Sequence, residues 1–245
     1  MANGKRALVT GSSRGIGRAI AVRLAKDGYE VIVHGAGNRA KAEETKRLIE
    51  ENGGRATVLM ADLCDAAEVE RLAHEMGDID VLILNASLQV RAHWDEIETK
   101  DLYDQLHCNF IASYSLIRAA VPHMKAAGWG RIVTIGSVQE AKPHPDMLIY
   151  SASKAAQTNM MRSLSLQLAA AGITVNNVAP GVIDTDRNRD ALSDPVYARR
   201  VMDSIPVGFY GKPDDCAGMV SLLCSEDGRY ITGQSIYIDG GKSVQ

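Results

Sequence analysis

Tyr150 and Lys154 stand four residues apart in the run Tyr150-Ser151-Ala152-Ser153-Lys154, and Ser137 lies thirteen residues upstream. Residues four apart on a helix share a face. The spacing therefore sets a phenol beside an ammonium, with a hydroxyl at a nearby strand end able to join them. Such a trio can pass a proton to a carbonyl oxygen. Ser137 can donate a hydrogen bond to the oxygen as it gains charge, and Tyr150 can release the proton as general acid. A free phenol titrates near about 10. The Lys154 ammonium is expected to favour the phenolate and bring that value down. In the reverse direction Tyr150 is the base that takes a proton from an alcohol.

A second chemical feature lies near the N-terminus, where Thr10-Gly11-Ser12-Ser13-Arg14-Gly15-Ile16-Gly17 joins an apolar run to a helical one. Glycines there permit a tight turn and close backbone approach to a phosphate. The free N–H groups of the following helix start suit an anion, so the loop is expected to hold a dinucleotide pyrophosphate. The second apolar run ends in His34-Gly35-Ala36-Gly37-Asn38-Arg39. No carboxylate stands there to grip a ribose 2′-hydroxyl or to repel a 2′-phosphate. Arg14 and Arg39 can supply positive charge. NADP(H) is favoured on these grounds, with NAD(H) as the alternative.

Positioning these groups requires an alternating chain. Strands are expected at Arg6–Thr10, Glu30–His34, Ala56–Met60, Asp80–Asn85, Arg131–Gly136, Ile173–Val178 and Ser235–Ile238. Helices are expected at Gly15–Asp27, Arg39–Glu51, Ala66–Glu75, Lys100–Ala127 (irregular near Pro122), Leu148–Ala171 and Pro213–Ser225. Strand–helix alternation implies an α/β fold: a single-domain, doubly wound, Rossmann-type parallel sheet of about seven strands with helices on both faces. No repeat or linker divides residues 1–245.

Composition narrows the partners. Of 245 residues, 46% are hydrophobic, enough for a sizeable core, and 27 basic against 30 acidic residues leave a net charge of −3. No basic run points to nucleic acid, and no apolar stretch approaches a membrane span. Cys64, Cys108, Cys216 and Cys224 lack paired metal-type spacing, and the histidines lack ligand spacing, so no metal is expected. Free thiols and the absence of a secretory-type apolar leader point to the cytoplasm.

These motifs, in this order, resemble the short-chain dehydrogenase/reductase family across nearly the whole chain. The matching segments are TGSSRGIG at 10–17, Asp62-Leu63, Asn85-Ala86-Ser87, Asn109, Ser137, YSASK at 150–154, Pro180-Gly181 and Ile238-Asp239-Gly240-Gly241. Within the family the chain looks most like the 3-oxoacyl-carrier-protein reductase and glucose dehydrogenase branch. The resemblance implies cofactor contacts from Gly11, Ser13, Arg14, Gly15, Ile16 and Gly17. It places Asp62 and Leu63 at the adenine, and Asn85 and Ala86 in the cleft after strand four. Pro180, Gly181, Ile183 and Thr185 would embrace the nicotinamide end. Lys154 would bind the nicotinamide ribose together with its neighbour Tyr150, and Asn109 would hold a water linking Lys154 to solvent. The family usually has glycine at the position of Ser87, whose hydroxymethyl narrows that loop, and often arginine at the position of Phe209. The resemblance also implies a homotetramer. Ile111, Tyr114 and Ile117 on one long helix, with Met160, Met161, Leu164 and Leu168 on the other, offer apolar surface for it.

The expected activity is hydride transfer between NADP(H) and a ketone or secondary alcohol. A 3-oxoacyl thioester is one substrate class and a sugar or polyol the other. A nucleotide sensor without catalysis would have lost Tyr150 or Lys154, and both are present. An isomerase or lyase that retains its cofactor would turn over without added reductant. Gln139 and His144, between Ser137 and Tyr150, and Trp94, after the fourth strand, are expected in the substrate pocket. The charged, interrupted segment 184–206 is expected to form a lid.

Overall fold

The computed structural model describes residues 4–189 and 191–245. The short apolar runs form seven strands: β1 (Arg6–Val9), β2 (Glu30–Gly35), β3 (Arg55–Met60), β4 (Val81–Leu84), β5 (Gly130–Ile135), β6 (Ile173–Pro180) and β7 (Ser235–Ile238). They make one sheet in the order β3-β2-β1-β4-β5-β6-β7, and every neighbouring pair is parallel. The helices are α1 (Gly15–Lys26), α2 (Arg39–Glu51), α3 (Ala66–Glu75), α4 (Thr99–Leu106), α5 (Ala112–Ala127), α6 (Leu148–Leu168), α7 (Asp186–Arg189), α8 (Pro195–Asp203) and α9 (Pro213–Cys224).

Side chains alternate across the strands. Ala7, Val9, Val31, Val33, Val81 and Ile83 therefore bury on one face, under Ile20 and Leu24 of α1 and Val220 and Leu223 of α9. Leu8, Ile32, Leu82 and Leu84 bury on the other, under Leu72 of α3, Leu116 of α5 and Met161 of α6. Each of these valine, leucine and isoleucine side chains contributes about 1.5–3 kcal/mol when removed from water. With a layer of helices on each face, the sheet's carboxyl edge is left as the place for a ligand. Strand order reverses between β1 and β4, which opens a crevice outside those ends.

The expected long helix Lys100–Ala127 is interrupted, but not at Pro122. Pro122 is absorbed within α5, and the break is a π-helical segment, His107–Ile111, between α4 and α5. There the carbonyl of Asn109 accepts from Ser113 Oγ (3.1 Å) and Gln157 Nε2 (3.0 Å), so side chains use an acceptor that regular helix would keep for itself. The apolar surface expected outside the core is also smaller than the sequence pattern suggests. Ile117, Met161 and Leu168 belong to the core beneath the sheet, while Ile111 and Tyr114 remain exposed. Among the described residues no helix is long and apolar enough to cross a membrane.

Candidate active site

The loops that follow β1, β2 and β4 are laced together. Thr10 Oγ1 accepts from the backbone N–H groups of Asn85 (2.9 Å) and Ala86 (3.0 Å), and Asn85 Nδ2 donates to the carbonyls of Thr10 (2.8 Å) and Gly11 (3.2 Å). Gly11 has φ +64°, which only glycine adopts freely. At Gly17 a Cβ would stand 2.4 Å from the Gly11 carbonyl oxygen and 2.5 Å from Asn85 Nδ2. The glycine thus keeps α1 pressed against the loop, with its N-terminal amides beside the crevice.

His34 completes this frame, and sequence reasoning passed over it. It is the penultimate residue of β2, just before the place where a carboxylate would be sought, and it is buried. Its Nδ1 accepts from the Gly11 N–H at 3.0 Å, which puts the ring proton on Nε2, facing the Ala61 carbonyl at 3.1 Å. Burial pulls its pKa down to about 4, so the ring is neutral and serves as a fixed acceptor. A lone polar residue closing an apolar strand was the available signal.

One cavity of about 940 Å³ runs along the carboxyl edge of the sheet. Gly11, Ser13, Arg14, Gly15, Ile16 and Gly17 line one end, with Asp62 and Leu63 after β3 and Asn85 and Ala86 after β4. Pro180, Gly181, Ile183 and Thr185 line the far wall beyond β6. Ser137 and Tyr150 lie between these walls, with Gln139 and His144 beside them. An elongated cavity with a glycine cradle at one end and a hydroxyl pair at the other fits a dinucleotide. Gly35 and Ala36 present no charge there, and Arg14 supplies one.

Four expected residues stand off the wall. Trp94 is 67% exposed on the loop before α4, because that loop turns the indole outward beside His93. Arg39 points to solvent and pairs with Glu43 one turn along α2 (3.5 Å). Asn109 spends its amide on a clamp: Oδ1 accepts from Leu88 N (2.8 Å), while Nδ2 donates to Leu88 O (2.9 Å) and Ser153 Oγ (2.9 Å). It positions the loop after β4, and its link to Lys154 runs through its backbone carbonyl and Gln157.

Lys154 itself lies behind the wall, 1% exposed. Its Nζ donates to the Ile135 carbonyl at 2.7 Å and to Gln157 Oε1 at 3.3 Å, and sits 5.9 Å from the Tyr150 ring centroid. Burial lowers its pKa to about 8, and the Arg187 guanidinium pushes the same way. Tyr150 has its pKa raised by burial; the Arg187 charge and the hydroxyls of Ser137 and Ser87 oppose that rise. The expectation that Lys154 brings Tyr150 down is therefore corrected. The cation opposing the rise is Arg187, because the Lys154 ammonium is turned toward β5.

Arg187, at the start of α7, was not singled out from sequence. Its Nη1 donates to Ser87 Oγ (3.0 Å) and its Nη2 to the Ser87 carbonyl (2.7 Å). The contact spans one hundred residues and depends on how segment 184–206 folds, so spacing carried no sign of it. Ser137 is held from the other side. Its Oγ accepts from Gln139 N (3.2 Å), and its hydroxyl faces the Tyr150 phenol across the cavity. Glu140, next in that turn, accepts from Thr158 Oγ1 (2.7 Å), Asn177 Nδ2 (3.0 Å) and Ser235 Oγ (2.6 Å), which ties the turn to α6, β6 and β7.

Sheet order, glycine cradle and hydroxyl pair together define a dinucleotide-binding α/β oxidoreductase. A family model described as enoyl-(acyl carrier protein) reductase matches residues 11–243. The chain is 37% identical to the 3-oxoacyl-[acyl-carrier-protein] reductase FabG of Staphylococcus aureus over 97% of each sequence. It is 35% identical to the glucose 1-dehydrogenase of Gluconobacter oxydans, over 98% of this chain and 92% of that one. The crystal structure of a gluconate 5-dehydrogenase from Burkholderia cenocepacia, in complex with NADP and tartrate, superposes with a TM-score of 0.91 at 31% identity, covering 99% and 96% of the two chains. The chain belongs to the short-chain dehydrogenase/reductase family.

Proposed function

We propose that the protein is an NADP(H)-dependent oxidoreductase that interconverts a ketone and a secondary alcohol, using Ser137, Tyr150 and Lys154. The observation that carries this reading is that Ser137 and Tyr150 share one cavity with the glycine cradle. When bound, the nicotinamide supplies or accepts the hydride. Ser137 Oγ–H, which faces the Tyr150 phenol in the cavity, turns to donate to the carbonyl oxygen when substrate is bound. Tyr150, kept protonated by its raised pKa, gives its proton to that oxygen and is later reprotonated from solvent. Lys154, one turn along the same helix, is assigned to the cofactor ribose, which its ammonium reaches by turning from the Ile135 carbonyl, and Asn109 holds the loop after β4 in register. In alcohol oxidation each proton moves the other way.

NADP(H) is preferred to NAD(H) because the end of β2 carries no carboxylate and Arg14 faces the cavity, and the superposing gluconate 5-dehydrogenase holds NADP. Between the two substrate classes, Gln139, His144 and the arginines of the far wall favour a polar, hydroxylated compound over a long acyl thioester. The single unit 1–245 carries segment 184–206 as a lid, tethered by Arg187 to Ser87 and by Tyr197 OH to Arg91 (2.8 Å); within it Asp190 lies outside the described residues. The enzyme works in the cytoplasm as a homotetramer that buries Ile111 and Tyr114.

The test is a panel of ketones and secondary alcohols with each nicotinamide, followed by absorbance of the reduced cofactor. NADPH-dependent reduction of a polar ketone is the expected result. Turnover of any substrate without added nicotinamide, or none with either nicotinamide across both substrate classes, would overturn the reading. Sedimentation at the mass of four chains would support the assembly, and a monomer would refute it.

A further inference from the structure

The substrate half of the cavity is cationic although the chain as a whole is acidic. Five basic side chains line it, Arg91, Lys142, Arg187, Arg200 and Lys242, against two carboxylates, Asp146 and Asp186. Asp186 is engaged by Arg189 at 3.0 Å, and Asp146 lies 3.9 Å from His144. Among the described residues Arg91, Arg187 and Arg200 form no salt bridge.

Their arrangement is costly unless something answers it. Arg91 and Arg200 both lie over the ring of Tyr197, each 5.5 Å from its centroid, which brings two like charges to one aromatic. Burial, then Arg91, and also Arg200 and Lys242, hold the His144 pKa below its ordinary range, so the repulsion is felt across the mouth. Deeper in, Arg187 uses two of its five N–H groups on Ser87. Arg187 and Tyr150 line the same cavity, and the phenol feels the guanidinium charge. An arginine anchored through both terminal nitrogens, with N–H donors to spare, is suited to a planar oxyanion.

We infer that the natural substrate is a hydroxy or oxo compound bearing an oxyanion group, a carboxylate or a phosphate ester, which Arg187 grips near the reacting carbon while Arg91 and Arg200 draw it in from the mouth. This inference rests on the oxidoreductase reading of the same site. It adds the charge of the substrate and names Arg187 as the residue that selects for it.

The experiment compares matched pairs on the NADP-loaded enzyme. Hydroxy acids, gluconate and tartrate among them, are each set beside their neutral amides, and sugar phosphates beside the free sugars. Both turnover and calorimetric binding are read. The charged member should be favoured by about tenfold or more in kcat/KM or affinity, as expected for charge-assisted hydrogen bonds. Arg187→Met should collapse that charged-to-neutral ratio and Arg187→Lys should retain part of it, since a ratio cancels any loss common to both members. Preference within the acids or within the phosphates distinguishes the two anion sources. Neutral members turned over as well as charged ones would overturn the inference and leave the oxidoreductase reading intact. Arg187-dependent binding of the acids without turnover of any member would do the reverse. If Arg187→Met weakens NADP binding while the ratio persists, the arginine serves the cofactor and the inference fails.

Discussion

The ring of His34 accepts a hydrogen bond from the backbone N–H of Gly11 at 3.0 Å, joining the end of β2 to the phosphate loop through a neutral imidazole. The bond exists only while Nδ1 is unprotonated. Burial holds the His34 pKa at about 4 against an ordinary 6.5. An unfolded chain therefore takes up a proton between those values that the folded chain refuses, and stability falls as pH drops from about 6.5 to about 4. Above that window His34 contributes no pH dependence. The loss amounts to roughly 3 kcal/mol over the window. Denaturant melts at pH 7 and pH 4.5 check it: His34→Gln should flatten the dependence, and an unchanged slope would refute the assignment.

Gly17 is expected to tolerate no side chain. The Cβ of Gly17→Ala would overlap the Gly11 carbonyl and the Asn85 amide. Overpacking of this kind costs about 1–3 kcal/mol. NADP affinity should fall with stability, because the same loop carries both. Retention of wild-type NADP binding, read by fluorescence titration, would show that the loop is not the cradle.

Placing a carboxylate at the end of β2 should invert cofactor choice. Ala36→Asp puts a negative charge on the cavity wall, where it repels a 2′-phosphate and can accept from a ribose hydroxyl. The ratio of kcat/KM for NADPH over NADH should drop by roughly tenfold or more. An unmoved ratio would undo the charge argument for NADP(H).

The pH profile reports the electrostatics around Arg187. The proposed mechanism uses Lys154 as an ammonium, and burial lowers its pKa to about 8, so kcat/KM for reduction should decline as pH rises through that value. Alcohol oxidation needs the Tyr150 phenolate and should climb into alkaline pH, since burial raises that pKa. Arg187 depresses both groups. Arg187→Met should therefore move both limbs to higher pH, and a shift to lower pH would contradict the structure.

Much of this was legible in the sequence because it rests on local patterns. The alternation of short apolar runs with helical ones foreshadowed the parallel sheet, and the glycines of the loop after β1 line the cavity as their spacing suggested. Tyr150 and Lys154 indeed share the α6 helix. What escaped depended on the direction of side chains and on contacts between distant segments. Lys154 turns toward the Ile135 carbonyl, which helical spacing does not specify. Ser87 was visible as a departure from the family pattern, yet its purpose emerges only when α7 brings Arg187 against it. Trp94 follows the fourth strand and was expected in the pocket, but its side chain is exposed on the outside of that loop. The π-helical segment is likewise invisible in periodicity, because the residues that pull on the Asn109 carbonyl, Gln157 above all, come from another helix.

The most direct test removes one oxygen. Tyr150→Phe keeps the ring buried and the cavity shape but deletes the proton donor. The account predicts that carbonyl reduction falls by roughly 10²–10⁴-fold while the fluorescence-measured affinity for NADPH stays near the wild-type value. Retention of most of the activity with NADPH bound would contradict it.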